Sequence, residues 1–105
     1  MTNHLYILAG HTPVPVDDAL DWARWYEAAD DTRIVAHTDT PAGTVSTVFL
    51  GLNHRFGPGP PLLFETLIFG GKRDQAMWRY STWDEAEAGH AAAVAMLEDA
   101  GHADR

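Results

Sequence analysis

The widest range of chemical groups in this chain lies in NHRFGPGPP, residues 53–61. Asn53 and His54 supply hydrogen-bonding and titratable groups, while Arg55 and Phe56 add a cation and an aromatic ring. The glycines and prolines that follow are typical of a shaped loop, and loops carry binding residues more often than cores do. We predict a ligand or partner contact here; the alternative is an ordered connection between two strands.

A single carboxylate, Glu65, interrupts the apolar stretch LLFETLIF, residues 62–69. Burying an unpaired carboxylate costs several kcal/mol, so Glu65 requires a partner. Arg79, Arg33 and His54 have suitable side chains. A structural ion pair or a contact across a dimer is therefore predicted, rather than a general acid.

The C-terminal segment combines a helix start signal with a histidine inside an apolar stripe. The residues predicted to be structural there are Thr82, Glu85, Gly89 and His90. The first two have capping-box spacing, and the glycine permits close approach of a neighbouring element. The stripe comprises Trp83, Ala86, His90, Val94 and Leu97. A buried imidazole must form hydrogen bonds, and a strand residue such as Glu65 or Arg79 is the expected partner.

Other catalytic and metal-binding patterns are weak. The chain has no cysteine, which excludes disulfides, thiolate nucleophiles and cysteine-based zinc sites. His37 and Asp39 could face the same way on a strand, but no third metal ligand is evident. There is no G-x-S-x-G elbow, and GPGPP lacks the Lys–Ser/Thr of a phosphate loop. We predict no catalytic residue, no metal and no cofactor, and we favour a protein that is not an enzyme.

The elements that would position these groups form one predicted domain, residues 1–105. A helix is predicted over residues 16–31, preceded by a break at Thr12–Pro15. The predicted strands are Leu5–Ala9, Arg33–Thr38, Thr44–Leu52, Leu62–Phe69 and, at an edge, Ala76–Ser81. The order β-α-β-β-β-(β)-α predicts an α+β fold. Its mostly antiparallel sheet has four or five strands, with two helices packed on one face.

The first helix has a broad apolar stripe. Its members are Val16, Ala19, Leu20, Trp22, Ala23, Tyr26 and Ala29. Trp25 falls outside this stripe, so we expect it to be half exposed and available as a partner contact.

Apolar side chains are predicted on both faces of the central strands, because side chains alternate along a strand. Two helices shelter one face, and monomers rarely expose a large apolar patch. We therefore expect the other face to be covered by a second copy, as a homodimer. Coverage by the N-terminal segment and the long loop is the alternative.

The charge is strongly acidic and unevenly distributed. Seven Lys and Arg against fifteen Asp and Glu give a net charge of -8, and the two helical segments hold eleven of the fifteen acids. This argues against direct nucleic-acid binding, which needs clustered cations. Asp18 and Asp21 are candidate partner contacts, and mimicry of nucleic-acid charge is an alternative. No apolar run approaches the roughly 20 residues of a membrane span, so we expect a cytoplasmic protein with no membrane contact.

Two stretches carry a family resemblance. VSTVFLGLNHRFGPGPPLLFETLIFGG and RYSTWDEAEAGHAAAV resemble a family of small uncharacterised proteins encoded by actinobacterial phages and their hosts. The resemblance implies an intracellular accessory role in a phage or prophage context, and it implies no reaction. We expect a non-enzymatic protein that binds a host or phage protein, with inhibition of a host or defence component as one form of that role. A small-molecule-binding protein or minor enzyme with a site at the 53–61 loop is the alternative.

Overall fold

The computed structural model describes residues 4–103, with side chains up to residue 99. Its elements are β1 (Tyr6–Ala9), β2 (Thr12–Pro15), α1 (Ala19–Ala29), a 3-10 helix (Asp30–Arg33), β3 (Ile34–Thr40), β4 (Gly43–Phe49), β5 (Phe64–Phe69), β6 (Met77–Tyr80) and α2 (Trp83–Ala103). Strands β3 to β6 form an antiparallel sheet in chain order, while β1 and β2 form a separate hairpin. The predicted α+β class and the four-stranded sheet are confirmed.

The N-terminal hairpin differs from the sequence prediction. The first predicted strand is present, but it pairs with β2 over residues predicted to be a break. The two prolines of β2 lack a backbone N–H. They are compatible with this pairing because both strands of a two-stranded hairpin are edge strands, where proline is tolerated. The hairpin joins the rest of the fold through a bridge between Leu5 and Leu52 and a 2.9 Å hydrogen bond from Tyr6 N to the Gly51 carbonyl.

Helix α1 is rotated relative to the predicted stripe. Trp22, Trp25, Tyr26 and Ala29 follow the i, i+3, i+4, i+7 spacing of an inward face. Trp22 donates through Nε1 to the carbonyls of Tyr6 and Gly51, at 3.0 and 3.1 Å. The Trp25 ring meets the Phe49 ring edge-on at 5.9 Å. Leu20, predicted to be inward, is 59% exposed, and this part of the prediction is wrong.

The main core lies between α2 and one face of the four-stranded sheet. Its buried sheet residues are Val45, Thr47 and Phe49 of β4 and Phe64, Thr66 and Ile68 of β5. On α2 the matching buried residues are Ala86, His90, Ala93 and Leu97. Both helices approach this same face, α2 along its length and α1 at the Phe49 end. No helix in the described part of the chain has the length and apolar content to cross a membrane.

The opposite side of the sheet, called the open face below, carries the alternate residues of the same strands. They are Ile34, His37, Asp39, Thr44, Ser46, Val48, Glu65, Leu67, Phe69, Met77 and Arg79. Ile34, Phe69 and Met77 are 44%, 46% and 46% exposed, while Val48 and Leu67 are partly buried. Apolar side chains therefore occur on both faces of the sheet.

Candidate functional site

The base of the 53–61 loop is closed by its own side chains. Asn53 Oδ1 accepts hydrogen bonds from the backbone N–H of Arg55 at 2.9 Å and of Leu62 at 3.0 Å. His54 N donates to the Leu62 carbonyl at 3.0 Å, continuing the pairing of the two strands beyond their ends. An asparagine suits this place, because its side chain readily bonds to nearby backbone groups.

Arg55 fixes the far side of the same loop. Its guanidinium Nε donates to the Pro60 carbonyl, and the group lies against Gly59. Gly57 and Gly59 have φ values of 81° and 129°, backbone conformations that side chains rarely permit. The loop is therefore held in one shape by hydrogen bonds, a packed guanidinium and two glycine turns.

Phe56 occupies the tip of this loop and is 99% exposed. A phenylalanine usually buries its ring, so a ring entirely in solvent on a fixed loop is unusual. The polar residues that sequence reasoning assigned to ligand contact, Asn53 and Arg55, instead hold the backbone. The His54 side chain is partly buried beside them. The group that the loop presents outward is the aromatic ring.

Glu65 has an arginine partner on the neighbouring strand. Arg79 Nε donates to Glu65 Oε2 at 3.0 Å, and the two residues are directly opposite in the β5–β6 register. Of the three partners considered from sequence, the structure selects Arg79. Glu65 lies on the open face, where it is paired within the sheet and not with Arg33 or His54.

His37 and Asp39 form a second ionisable pair on the open face. His37 Nε2 is 3.3 Å from Asp39 Oδ1, and Thr44 donates to the same carboxylate oxygen at 2.8 Å. These contacts agree with the same-side placement expected for i, i+2 residues on a strand. Within residues 4–99, no cluster of three or more potential ligands is placed to hold a metal ion.

The acidic residues of α1 have different roles. Asp18 is the N-cap, and its Oδ1 accepts from the N–H groups of Leu20 and Asp21 at 2.8 and 3.0 Å. Asp21 is exposed in the first turn, where the positive end of the helix dipole favours an acid. Charge reversal at Asp18 would therefore remove a helix cap as well as a surface charge. Trp25, the third contact predicted on this helix, packs against the core.

The start of α2 is a capping box. Glu85 N donates to Thr82 Oγ1 at 3.1 Å, and Glu85 Oε1 accepts from the N–H of Thr82 at 3.1 Å. One turn later, Gly89 allows the Tyr80 phenol to lie directly against the helix backbone. These contacts fix both where α2 begins and how closely it approaches β6.

His90 is buried, 6% exposed, and its predicted partners are wrong. Its Nδ1 is 2.7 Å from Thr47 Oγ1, and its Nε2 is 2.9 Å from Thr38 Oγ1. Glu65 and Arg79 could not serve, because alternation places both on the other face of the sheet. Sequence reasoning missed the threonines. Their signal was a single threonine between two apolar residues on the inner face of each central strand: Thr47 on β4 and Thr66 on β5.

These groups form one chain of hydrogen bonds, called the polar chain below. Tyr80 OH donates to Thr66 Oγ1 at 3.1 Å, and Thr66 Oγ1 is 2.6 Å from Thr47 Oγ1. Since Thr66 is fully buried and already accepts from Tyr80, its own hydrogen is best placed toward Thr47. Thr47 then donates to His90 Nδ1, so Nε2 carries the proton of a neutral imidazole.

The polar chain is matched to a neutral histidine. With a proton on Nδ1, Thr47 would have to accept from His90, and the hydrogen of either Thr47 or Thr66 would then have no acceptor in the polar chain. Burial, the main cause, and the nearby His37 both lower the pKa of His90. The arrangement is that of a structural core histidine. Nothing in it requires a substrate.

A shallow cleft of about 260 Å³ lies where the β1–β2 turn meets α2. It is lined by His11, Thr12, Pro13, Thr82, Trp83 and Asp84. The His11 and Trp83 rings stack at 3.7 Å with planes 4° apart, which docks the turn on the helix. The volume lies below the roughly 300 Å³ at which small-molecule pockets begin.

Comparison of the chain with protein-family models, with curated proteins and with solved structures gives no match.

Proposed function

We propose that this chain is a non-enzymatic accessory protein of phage or prophage type that binds a host or phage protein through the 53–61 loop. The observation that carries the proposal is the Phe56 ring, 99% exposed on a loop whose shape is fixed from within. The proposal includes a cytoplasmic location, that of the host cell if a phage encodes the chain.

The energetics of binding favour such an arrangement. Moving a phenylalanine side chain from water into an apolar pocket is worth about 2 kcal/mol, and aromatic anchors in the centre of an interface dominate its affinity. A loop that is already ordered loses little conformational entropy on binding. Asn53 and Arg55 provide that order, so their hydrogen bonds would serve the ring beside them.

The surroundings of Phe56 also define the kind of surface that would receive it. Arg55 has its Nε bonded to Pro60, but the guanidinium keeps its full positive charge. His54 adds a partly buried imidazole ring at the base. The complementary surface is an apolar pocket with acidic groups at its rim, since opposite charges across a rim steer association.

A small-molecule site in the same loop has less support. Two of its presumed ligands, Asn53 and Arg55, are engaged in closing the loop, and Glu65 is paired with Arg79 on the sheet. The family resemblance also suggests that the chain inhibits a host or defence component. Identification of the bound protein would decide whether it has this role.

The test is affinity capture from a lysate of the native host on immobilised wild type, Phe56→Ala and Leu20→Ala. Mass spectrometry then compares the amounts of each captured protein. Leu20 is the matched control, because it is also a large exposed hydrophobic residue, 59% exposed, on another surface. We expect at least one protein to be retained by wild type and Leu20→Ala and to be lost with Phe56→Ala. Thermal unfolding of Phe56→Ala should match wild type, since the ring contacts solvent.

Capture that is indifferent to Phe56→Ala would overturn the proposal. A specific thermal shift with a nucleotide or metabolite, lost on His54→Ala, would support the small-molecule alternative instead.

A further inference from the structure

The open face has an ordered distribution of apolar and charged groups. Across the strand order β3-β4-β5-β6, three rows of side chains point to this side. The first row is Ile34, Val48, Glu65 and Arg79; the second is His37, Ser46, Leu67 and Met77; the third is Asp39, Thr44 and Phe69. The register therefore fixes each side chain's place on a simple grid.

On this grid the apolar residues form a diagonal band. It begins at Ile34 and Val48 in the first row of β3 and β4, and it passes Leu67 at the centre. It ends at Met77 and Phe69 on the far side. The ends of the band are the most exposed, with Ile34, Met77 and Phe69 each more than 40% accessible. We call this band the apolar diagonal.

The two corners beside the apolar diagonal are charged. Glu65 and Arg79 occupy one corner, with their side chains 3.0 Å apart. His37 and Asp39 occupy the opposite corner, 3.3 Å apart. An apolar centre between polar margins is the common anatomy of a protein interface.

We propose that a second copy of this chain covers the open face, with the two-fold axis of the dimer running along the apolar diagonal. Such an axis lies in the plane between the two sheets. It returns the apolar diagonal onto itself and exchanges the two charged corners. Arg79 then lies over Asp39 of the second copy, and Glu65 lies close to His37 of the second copy. The pattern is self-complementary, as a two-fold interface requires.

Two sheets related in this way cross at nearly a right angle. Orthogonal crossing is one of the two common modes of sheet-on-sheet packing. An axis parallel to the strands fits less well, because it would set Ile34 over Arg79 and Val48 over Glu65 of the second copy. Of these two axes, only the diagonal one sets charged groups over opposite charges and apolar residues over apolar residues.

The size of the face sets the expected strength. Four strands of about six residues span roughly 19 by 20 Å, or about 400 Å² of projected area on each copy. The total of about 800 Å², increased by the protruding side chains, lies below the roughly 1,200 Å² at which stable, specific interfaces begin and in the range of weak or transient ones. We therefore expect a dimer that dissociates on dilution. This proposal is independent of the partner contact assigned to Phe56.

The test uses sedimentation velocity from about 1 µM to about 1 mM, the range in which weak interfaces associate. Wild type should pass from monomer to dimer. Asp39→Arg and Arg79→Asp should each raise the dissociation constant of the dimer at least about tenfold. Each substitution creates two symmetry-related pairs of like charges between positions 39 and 79 of the two copies. An equimolar mixture of the two variants should restore association, since each copy then meets its opposite charge.

Two controls complete the design. Glu87→Arg alters an exposed charge on α2, on the other side of the sheet, and Phe56→Ala alters the loop; both should dimerise like wild type. Circular dichroism serves to check that each variant is folded. A wild-type chain that stays monomeric at every concentration overturns the proposal and leaves the face to a different protein. A dimer that survives both single substitutions, or a mixture that does not associate, overturns the diagonal axis.

Discussion

Replacing Gly89 by alanine should destabilise this protein, although alanine is the better helix former. Gly89 lies inside α2, one turn after the capping box. A methyl group at this position would overlap the phenol oxygen and ring carbons of Tyr80. Tyr80 cannot simply rotate away, because it packs against the core and donates to Thr66 at 3.1 Å.

The magnitude follows from three contributions. Gly→Ala in a helix interior should stabilise by about 1 kcal/mol. Displacing Tyr80 breaks its bond to the buried Thr66, at a cost of about 1 kcal/mol. Overpacking in a core adds about 1 to 3 kcal/mol. The net expectation for Gly89→Ala is a loss of about 1 to 3 kcal/mol in the free energy of unfolding.

The assay is urea denaturation of a double-mutant cycle. In a Tyr80→Ala background the obstacle is gone, so Gly89→Ala should change sign and stabilise by about 1 kcal/mol. Ala88→Gly, at an exposed position of the same helix, calibrates the helix-propensity contribution. If Gly89→Ala stabilises the wild-type background, or destabilises both backgrounds equally, the contact between Gly89 and Tyr80 does not limit the packing of α2.

Three further predictions concern stability. Burial lowers the pKa of His90, so the unfolded chain binds the proton more readily than the folded chain. The free energy of unfolding should therefore fall as the pH drops below about 6.5. Urea denaturation at a series of pH values should show that His90→Gln lacks this contribution to the pH dependence. An unchanged slope would contradict the neutral polar chain. Thr82→Ala should cost about 1 kcal/mol by loss of the N-cap, measured by thermal unfolding, whereas an unaltered midpoint would mean that water replaces the cap. Leu20→Asp should change stability by less than about 0.5 kcal/mol, despite its apolar type; a larger loss in urea denaturation would return Leu20 to the core.

The candidate site was only partly predictable. Residue types singled out the 53–61 loop, but they did not separate the groups that hold the loop from the group that it presents. Asn53 and Arg55 bond to Leu62 and Pro60, and these contacts depend on the path of the backbone through two glycines. Exposure of Phe56 is a consequence of that path, and no local pattern encodes it.

The partner of His90 shows the same limit in the core. The helical stripe predicted that His90 would be buried, and the need for hydrogen bonds predicted a polar partner. Choosing between Thr47 and Glu65 required the strand parity, which is set when β4 and β5 pair. A shift of one residue in register would move every side chain to the other face.

The sequence by itself determined the properties that depend on neighbours along the chain. Stretches rich in β-branched, aromatic and other apolar residues predicted the strands of the four-stranded sheet, and the spacing of Thr82 and Glu85 predicted where α2 begins. The tertiary structure alone decided which face α2 covers, how α1 is rotated, and that Glu65 meets Arg79. The physical reason is that these contacts join residues far apart in the chain. Strand register and helix docking select such contacts. Register and docking are themselves set by the free energy of the whole domain and not by that of any one segment.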